Sequence, residues 1–143
     1  MADERTMNYG DDIMLFHSFK SENERNKCGS SFIEIQLCRM PLQTEINDII
    51  SVSNIQHGDN DSLYIYSDDD VTFYDEYSYI FNCGIYNNLE TGIVDLYGIN
   101  YYVPNDIDAF IRKLGEEKPL DYEILSEWLL KSKVYNGFYI LGL

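Results

Sequence analysis

The stretch that decides the fold is residues 104–143, which read PNDIDAFIRKLGEEKPLDYEILSEWLLKSKVYNGFYILGL. Over 107–114 the apolar residues recur at spacings of three and four, which is the period of one face of a helix. Asn105 stands where an N-cap is expected, and Gly115 stands where a helix commonly ends. The pattern therefore predicts a helix over 107–114.

A second helix and a final strand follow. After Pro119 the apolar residues again repeat with the helical period, which predicts a helix over 120–132. The pair Asn136-Gly137 is a turn signal, and the apolar run after it predicts a terminal strand over 138–143. Four residues of the two helices are expected in the core: Phe110, Leu125, Trp128 and Leu129.

The chain before residue 104 carries mostly strand patterns. Apolar and polar residues alternate over 32–40, which predicts a strand with one buried and one exposed face. Runs rich in Val, Ile, Tyr and Phe predict further strands, over 13–19, 63–67, 71–74, 75–82, 84–86, 93–97 and 101–103. The remaining segments predict a loop over 20–31, a helix near 42–50 and a turn tip at 68–70.

Strands in runs followed by helices predict the α+β class, with a mostly antiparallel sheet packed against the helices. The 143 residues and the apolar content of 45% suit one domain, 1–143, with residues 1–9 frayed. The sequence has no signal-peptide pattern and no apolar run of membrane-spanning length. We therefore expect a soluble, cytoplasmic protein.

The charge of the chain is concentrated in its middle. The sequence has 25 Asp and Glu against 10 Lys and Arg, a formal charge of −15. Between Arg39 and Arg112 there is no basic residue, while thirteen acidic residues and nine of the thirteen Tyr fall there. Such a surface repels nucleic acid and anionic lipid and attracts basic proteins. We expect a basic protein partner, with no direct binding to nucleic acid or membrane.

Acidic residues and tyrosines interleave most closely over 59–79. Carboxylates provide electrostatic steering, and Tyr rings provide large anchors that lose little entropy on binding. Because Tyr64 and Tyr66 alternate with Leu63 and Ile65, we expect both Tyr rings to be exposed on one face. The predicted partner-binding residues are Asp59, Asp61, Tyr64, Tyr66, Asp68, Asp69, Asp70, Tyr74, Asp75, Glu76 and Tyr77. The alternative is a solvated acidic face without a partner.

Patterns for catalysis or metal binding are lacking in the sequence. Residues 59–61 (DND) resemble the start of a calcium loop, but Leu63 stands at the next ligand position. The two His and three Cys have neither zinc-ligand spacing nor the signature of a catalytic nucleophile. We therefore expect no enzyme activity, no cofactor and no metal, and we expect the thiols to be reduced.

Two C-terminal segments, 118–129 (KPLDYEILSEWL) and 136–142 (NGFYILG), occur here in a small, acidic, Tyr-rich α+β chain. In this the chain resembles the immunity proteins of bacterial contact-dependent inhibition and other polymorphic toxin systems. The resemblance implies a stoichiometric inhibitor that covers the active site or an exosite of a cognate toxin domain, often a basic nuclease. The alternative is a nucleic-acid mimic such as a phage anti-restriction protein, with carboxylates spaced like phosphates along an elongated face.

Overall fold

A six-stranded antiparallel sheet forms the centre of the computed structural model, which describes residues 14–29 and 31–143. Its strands are β1 (Phe32–Leu37), β2 (Leu63–Tyr66), β3 (Gly84–Tyr86), β4 (Thr91–Gly92), β5 (Ile99–Tyr102) and β6 (Phe138–Leu141). The helices are α1 (Glu22–Lys27), α2 (Ile46–Ile49), α3 (Asp70–Tyr77), α4 (Ile107–Glu117) and α5 (Tyr122–Ser132). Short 3₁₀ turns occupy Val52–Asn54, Ser67–Asp69 and Pro104–Asp106. The α+β prediction is confirmed.

The order of strands in the sheet is β2-β1-β6-β5-β3-β4. The strand that comes last in the chain, β6, lies between β1 and β5, with Ile35 paired to Ile140 and Tyr101 paired to Tyr139. At one edge, the backbone of His17 exchanges two hydrogen bonds with Tyr64 of β2. Pairing of this kind satisfies part of an edge that would otherwise be open to other strands.

Helices α3, α4 and α5 cover one face of the sheet. Ile33, Ile35 and Ile65 of the sheet pack into the same buried cluster as residues from all three helices. The four predicted core residues, Phe110, Leu125, Trp128 and Leu129, are buried, so this prediction is confirmed. Trp128 stands edge-on to Phe138, with ring centroids 5.9 Å apart, and its indole N–H donates to the carbonyl of Asp61 at 2.7 Å.

The other face of the sheet is covered as well, by His17, Phe19 and Arg25 of the N-terminal segment and by residues 41–57. Ile49 and Ile50 pack there against Cys38, Tyr101 and Tyr139 in a second buried cluster. The prediction that β1 has an exposed face is therefore wrong. The polar residues on this face, Glu34 and Gln36, are buried and hydrogen-bonded to the segment above them, which is how polar groups are accommodated inside proteins.

The N-terminal segment differs from the sequence prediction. The predicted loop over 20–31 contains α1, whose N-cap Ser21 accepts a hydrogen bond from the backbone N–H of Glu24. Ser followed three residues later by Glu is a capping signature that the prediction overlooked. Within 14–19, the described part of the predicted strand, only His17 pairs with another strand. The start of that strand at Ile13 and the predicted fraying of 1–9 lie outside the described residues.

The largest error concerns residues 68–82, where the sequence predicts a tip and two strands. The structure has a 3₁₀ turn and then α3, because Phe73, Tyr77 and Phe81 follow one another at a spacing of four and all face the core. The predicted strand 93–97 is also absent, since β4 comprises only Thr91–Gly92. Burial of these aromatic side chains on one face of a helix outweighs the β-propensity of Tyr, Phe and Val here.

The other boundaries differ by a few residues. Helix α4 continues through Gly115 to Glu117 and ends at Lys118, which has a left-handed φ of 50°. Asp106, and not Asn105, occupies its N-cap position. The helix predicted near 42–50 is shortened to α2. None of the described helices is long and apolar enough to cross a membrane.

Candidate acidic interaction surface

Strand β2 divides the predicted partner-binding residues into two groups. Asp59 and Asp61 precede the strand, whereas 68–70 follow it. Four residues of extended chain span about 13 Å. The two acidic groups therefore lie at opposite ends of β2, and Tyr64 between them is buried.

The first group is tied to a basic side chain. Arg39 donates to Asp59 through Nε at 2.9 Å and to Asp61 through Nη2 at 2.6 Å, and its guanidinium lies 5.4 Å from the ring centroid of Tyr135. The hydrogen bond from Arg39 holds the pKa of Asp59 below its usual value. One cation thus offsets part of this negative charge, and the pair connects β1 to the turn before β2.

Tyr64 is only 2% exposed, so the expectation that Tyr64 and Tyr66 are exposed together is wrong. Phe19 and Arg25, from the N-terminal segment, lie over the Tyr64 ring at 5.2 and 5.7 Å from its centroid. The Tyr64 hydroxyl donates to the carbonyl of Asp59 at 2.7 Å. Tyr66 is half-buried against His17, with ring centroids 4.2 Å apart. The alternation of residues in β2 correctly places Tyr64 and Tyr66 on one face of the strand, but it does not show which residues cover that face.

Tyr77 and Glu76 have structural partners. The Tyr77 ring is fully buried, its hydroxyl donates to the carbonyl of Leu120 at 2.6 Å, and burial raises its pKa. The carboxylate of Glu76 accepts from the N–H of Leu120 at 2.7 Å. Tyr77 is therefore unavailable to a partner, and the two side chains fix α3 to the connection between α4 and α5.

The remaining predicted residues come together on the outer side of α3. Tyr74 is 38% exposed and Val71 is 65% exposed, and Asp70 and Asp75 flank them on the same helix. Opposite them stands the turn 94–97, and the space between is an open groove of about 410 Å³. We call this groove, with its walls of α3 and 94–97, the acidic groove. Asp68 and Asp69 lie just before it, in the 3₁₀ turn that leads into α3.

Three carboxylates line the acidic groove, from Asp70, Asp75 and Asp95. Within residues 14–29 and 31–143, the ion pairs involve Asp59, Asp61 and Asp108, and none involves these three. Tyr86 lies close by: its own burial raises its pKa, and the neighbouring Asp95 and Tyr74 add to the effect. The groove therefore combines uncompensated negative charge with exposed apolar and aromatic surface, which suits a positively charged group with a flat or apolar part.

No family model, curated protein or solved structure matches this chain.

The sequence prediction missed one wall of the groove. Asp95 and Tyr97 come from a segment predicted as a strand, yet the N–H of Gly98 donates to the carbonyl of Asp95 at 3.3 Å in a tight turn. Asp at the first position of a turn and Gly at the fourth are the residues a type I turn favours. The sequence Asp95-Leu96-Tyr97-Gly98 was thus the available signal.

Both histidines and all three cysteines lie within the described residues, 14–29 and 31–143. No group of three or more His, Cys, Asp and Glu side chains in this part of the chain is placed to hold a metal ion. All three cysteines are free. Burial and the nearby Asp106 raise the pKa of Cys83, which disfavours its thiolate.

Proposed function

We propose that the protein is an immunity protein, which binds a basic toxin domain through the acidic groove and thereby neutralises it. The observation that carries the proposal is the groove itself, where three carboxylates without ion-pair partners in the described chain surround exposed Tyr74 and Tyr97. A toxin that acts on nucleic acid presents Lys and Arg to phosphates, and an acidic surface of matching shape would occupy those residues.

The local field supports fast capture of such a partner. No Lys or Arg occurs between Arg39 and Arg112, and none is among the residues that line the groove. Opposite charge of this kind raises association rates by about tenfold to a thousandfold at low salt. Exposed Tyr rings contribute mainly to slow dissociation, because aromatic side chains are common binding hot spots.

The arrangement of the acids favours this function over nucleic-acid mimicry. A mimic needs carboxylates spaced like phosphates along a continuous line. Here β2 separates Asp59 and Asp61 from the groove, and Arg39 binds both of them. The uncompensated charge at the groove is a compact group of three carboxylates around apolar surface.

We place the protein in the bacterial cytoplasm, as the resemblance to immunity proteins implies. Cys28 and Cys83 are free and exposed, which suits a reducing compartment. The protein would meet the toxin in the cytoplasm before the toxin reaches a substrate, and the protein would act by binding alone.

The test is co-expression with the products of neighbouring reading frames in the native host, followed by purification and a growth assay. We expect a stoichiometric complex with a basic toxin domain and protection from its growth inhibition. In the variant Asp70→Asn/Asp75→Asn/Asp95→Asn, association at low salt should slow by about tenfold and depend less on salt.

The matched control removes the same number of charges elsewhere. Glu116, Glu117 and Glu123 are exposed on α4 and α5, and their replacement by Gln should leave the association rate within about twofold. Equal slowing in both variants would show that only net charge matters and would contradict the assigned surface. Capture of a DNA-modifying or restriction enzyme in place of a toxin would support the mimic.

A further inference from the structure

We propose that the acidic groove receives an arginine side chain of the partner, held between Tyr97 and α3. This inference rests on the proposed function only in that the partner is a basic protein. It concerns which basic side chain the groove is built for, and where that side chain lies.

The helical wall of the groove is fixed from beneath. Phe73 and Tyr77, on the inner side of α3, are fully buried, and their rings stack with centroids 5.4 Å apart. The outer side of the same helix presents Asp70 and Tyr74 one turn apart. A carboxylate and an aromatic ring are therefore held at a set separation before any ligand arrives.

The opposite wall is clamped by a buried amide. Asn100 is fully buried, its Nδ2 donates to the carbonyl of Asp95 at 2.9 Å and to that of Ile140 at 2.8 Å, and its Oδ1 accepts from the N–H of Asp95 at 2.8 Å. The N–H of Leu143 also donates to the carbonyl of Leu96 at 2.8 Å. Both backbone groups of Asp95 are thus tied to the sheet.

Tyr97 stands on this clamped turn and is nevertheless 72% exposed. A large aromatic ring normally gains by burial, and nothing in the described chain covers this one. Because its backbone is already ordered, little backbone entropy remains to be lost when a partner covers the ring. An exposed ring on a rigid turn beside carboxylates is the arrangement expected of a pre-formed binding position.

The groove favours arginine over lysine. The Asp95 carboxylate is held by the N–H of Tyr97, which donates to Oδ1 at 2.9 Å, and its Oδ2 lies over Gly98, where a Cβ would come within 2.7 Å of it. The carboxylate is therefore fixed against the Tyr97 backbone, in the groove that the Tyr97 side chain also lines. A flat guanidinium can stack on a ring while it donates to a carboxylate in its own plane, whereas an ammonium is a compact charge without a stacking face.

Hexa-arginine and hexa-lysine peptides, which carry equal charge, provide the test. We expect the wild-type protein to bind the arginine peptide about five- to tenfold more tightly in fluorescence anisotropy, from stacking together with bidentate hydrogen bonding. Amide shifts in ¹⁵N spectra should be largest at 70–75 and 94–98. Tyr97→Ala should abolish the preference, and Tyr97→Phe should keep it. Leu89→Ala is the control, since Leu89 is 52% exposed and lies outside the groove.

Three results would overturn the inference: equal affinity for the two peptides, a preference for arginine that survives in Tyr97→Ala, or amide shifts absent from the groove at millimolar peptide. Measuring toxin binding to the wild type and to Tyr97→Ala distinguishes failure of this inference from failure of the proposed function. If a basic toxin binds and Tyr97→Ala weakens it by less than about twofold, the arginine position is wrong and the function stands. If no basic toxin binds the wild type, the function is wrong even where the peptide preference holds.

Discussion

A substitution at Glu34 tests the buried hydrogen bonds most directly, because the Glu34 carboxylate holds the loop before β2. Its Oε1 accepts from the N–H of Gly58 at 2.8 Å, and its Oε2 accepts from the N–H of Asp59 at 3.0 Å and from the Ser62 hydroxyl at 2.7 Å. The Tyr64 hydroxyl and the Gln36 amide also donate to Oε2. Removal of this one side chain should therefore release the loop.

The loss in the free energy of unfolding depends on which of these donors have a second acceptor. Tyr64 also donates to Asp59, and Gln36 also donates to Gln56, so these two remain bonded. The other three donors lose their only acceptor in Glu34→Ala. An unsatisfied buried donor costs about 1–3 kcal/mol. With about 1 kcal/mol for each of the two backbone N–H groups, which lie near solvent, and about 2 kcal/mol for buried Ser62, the free energy of unfolding should fall by about 4 kcal/mol.

Glu34→Gln should cost less, because it keeps one oxygen. The favoured orientation places that oxygen at the Oε2 position and turns the amide NH₂ toward the N–H of Gly58, so that one donor is lost at about 1–2 kcal/mol. Urea unfolding followed by the fluorescence of Trp128 measures both variants. Exposed Glu90→Ala serves as the control and should change stability by less than about 0.5 kcal/mol. Equal losses for the two Glu34 variants, or unchanged hydrogen exchange at Gly58 and Asp59, would refute this account.

Three further outcomes are expected. Trp128→Ala should lower the free energy of unfolding by about 3–5 kcal/mol, because a large buried ring leaves a cavity; a loss under about 0.5 kcal/mol in urea melts followed by circular dichroism would contradict this. Tyr102→Phe should raise stability by about 1 kcal/mol, since the buried Tyr102 hydroxyl has no hydrogen-bond partner among the described residues; a destabilised variant would reveal a missed partner. Among the described tyrosines, burial raises the pKa most at five, Tyr64, Tyr77, Tyr101, Tyr102 and Tyr139. Above pH 10 the unfolded chain loses protons that the folded state keeps, so stability should fall by about 1.4 kcal/mol per pH unit for each of them. Their absorbance at 295 nm should then rise together with unfolding, whereas ionisation with the circular dichroism intact would oppose this reading.

The fold of residues 104–143 could be predicted because its signals are local. Phe110 and Leu114, like Leu125 and Leu129, repeat at a spacing of four on their own helices, and both helices bury that side. For α3 the same spacing from Phe73 to Tyr77 was present but competed with residues that favour strands. The helical spacing and the β-propensity of the residues disagreed there, and burial of the aromatic rings favoured the helix.

The candidate site was predictable in its charge but not in its shape. The absence of Lys and Arg over 40–111 and the acidic run at 68–70 are visible in the sequence. The burial of Tyr64 depends on Phe19 and Arg25, which reach it from about forty residues away. The turn wall depends on Asn100, whose role as a clamp requires Ile140 to be beside it. Contacts between distant residues leave no local periodicity to read.

The position of β6 has a consequence for how the chain matures during synthesis. Strand β6 (Phe138–Leu141) is synthesised after the other five strands and lies between β1 and β5, so β1–β2 and β3–β5 remain separate ladders until it emerges. A nascent chain folds from its N-terminus onward, but here the earlier strands expose unpaired edges while they wait, and such edges invite pairing with other chains. The two ladders should therefore join in one late step, the insertion of β6. A truncation that removes only the residues from 138 onward should destabilise the fold far more than its length suggests.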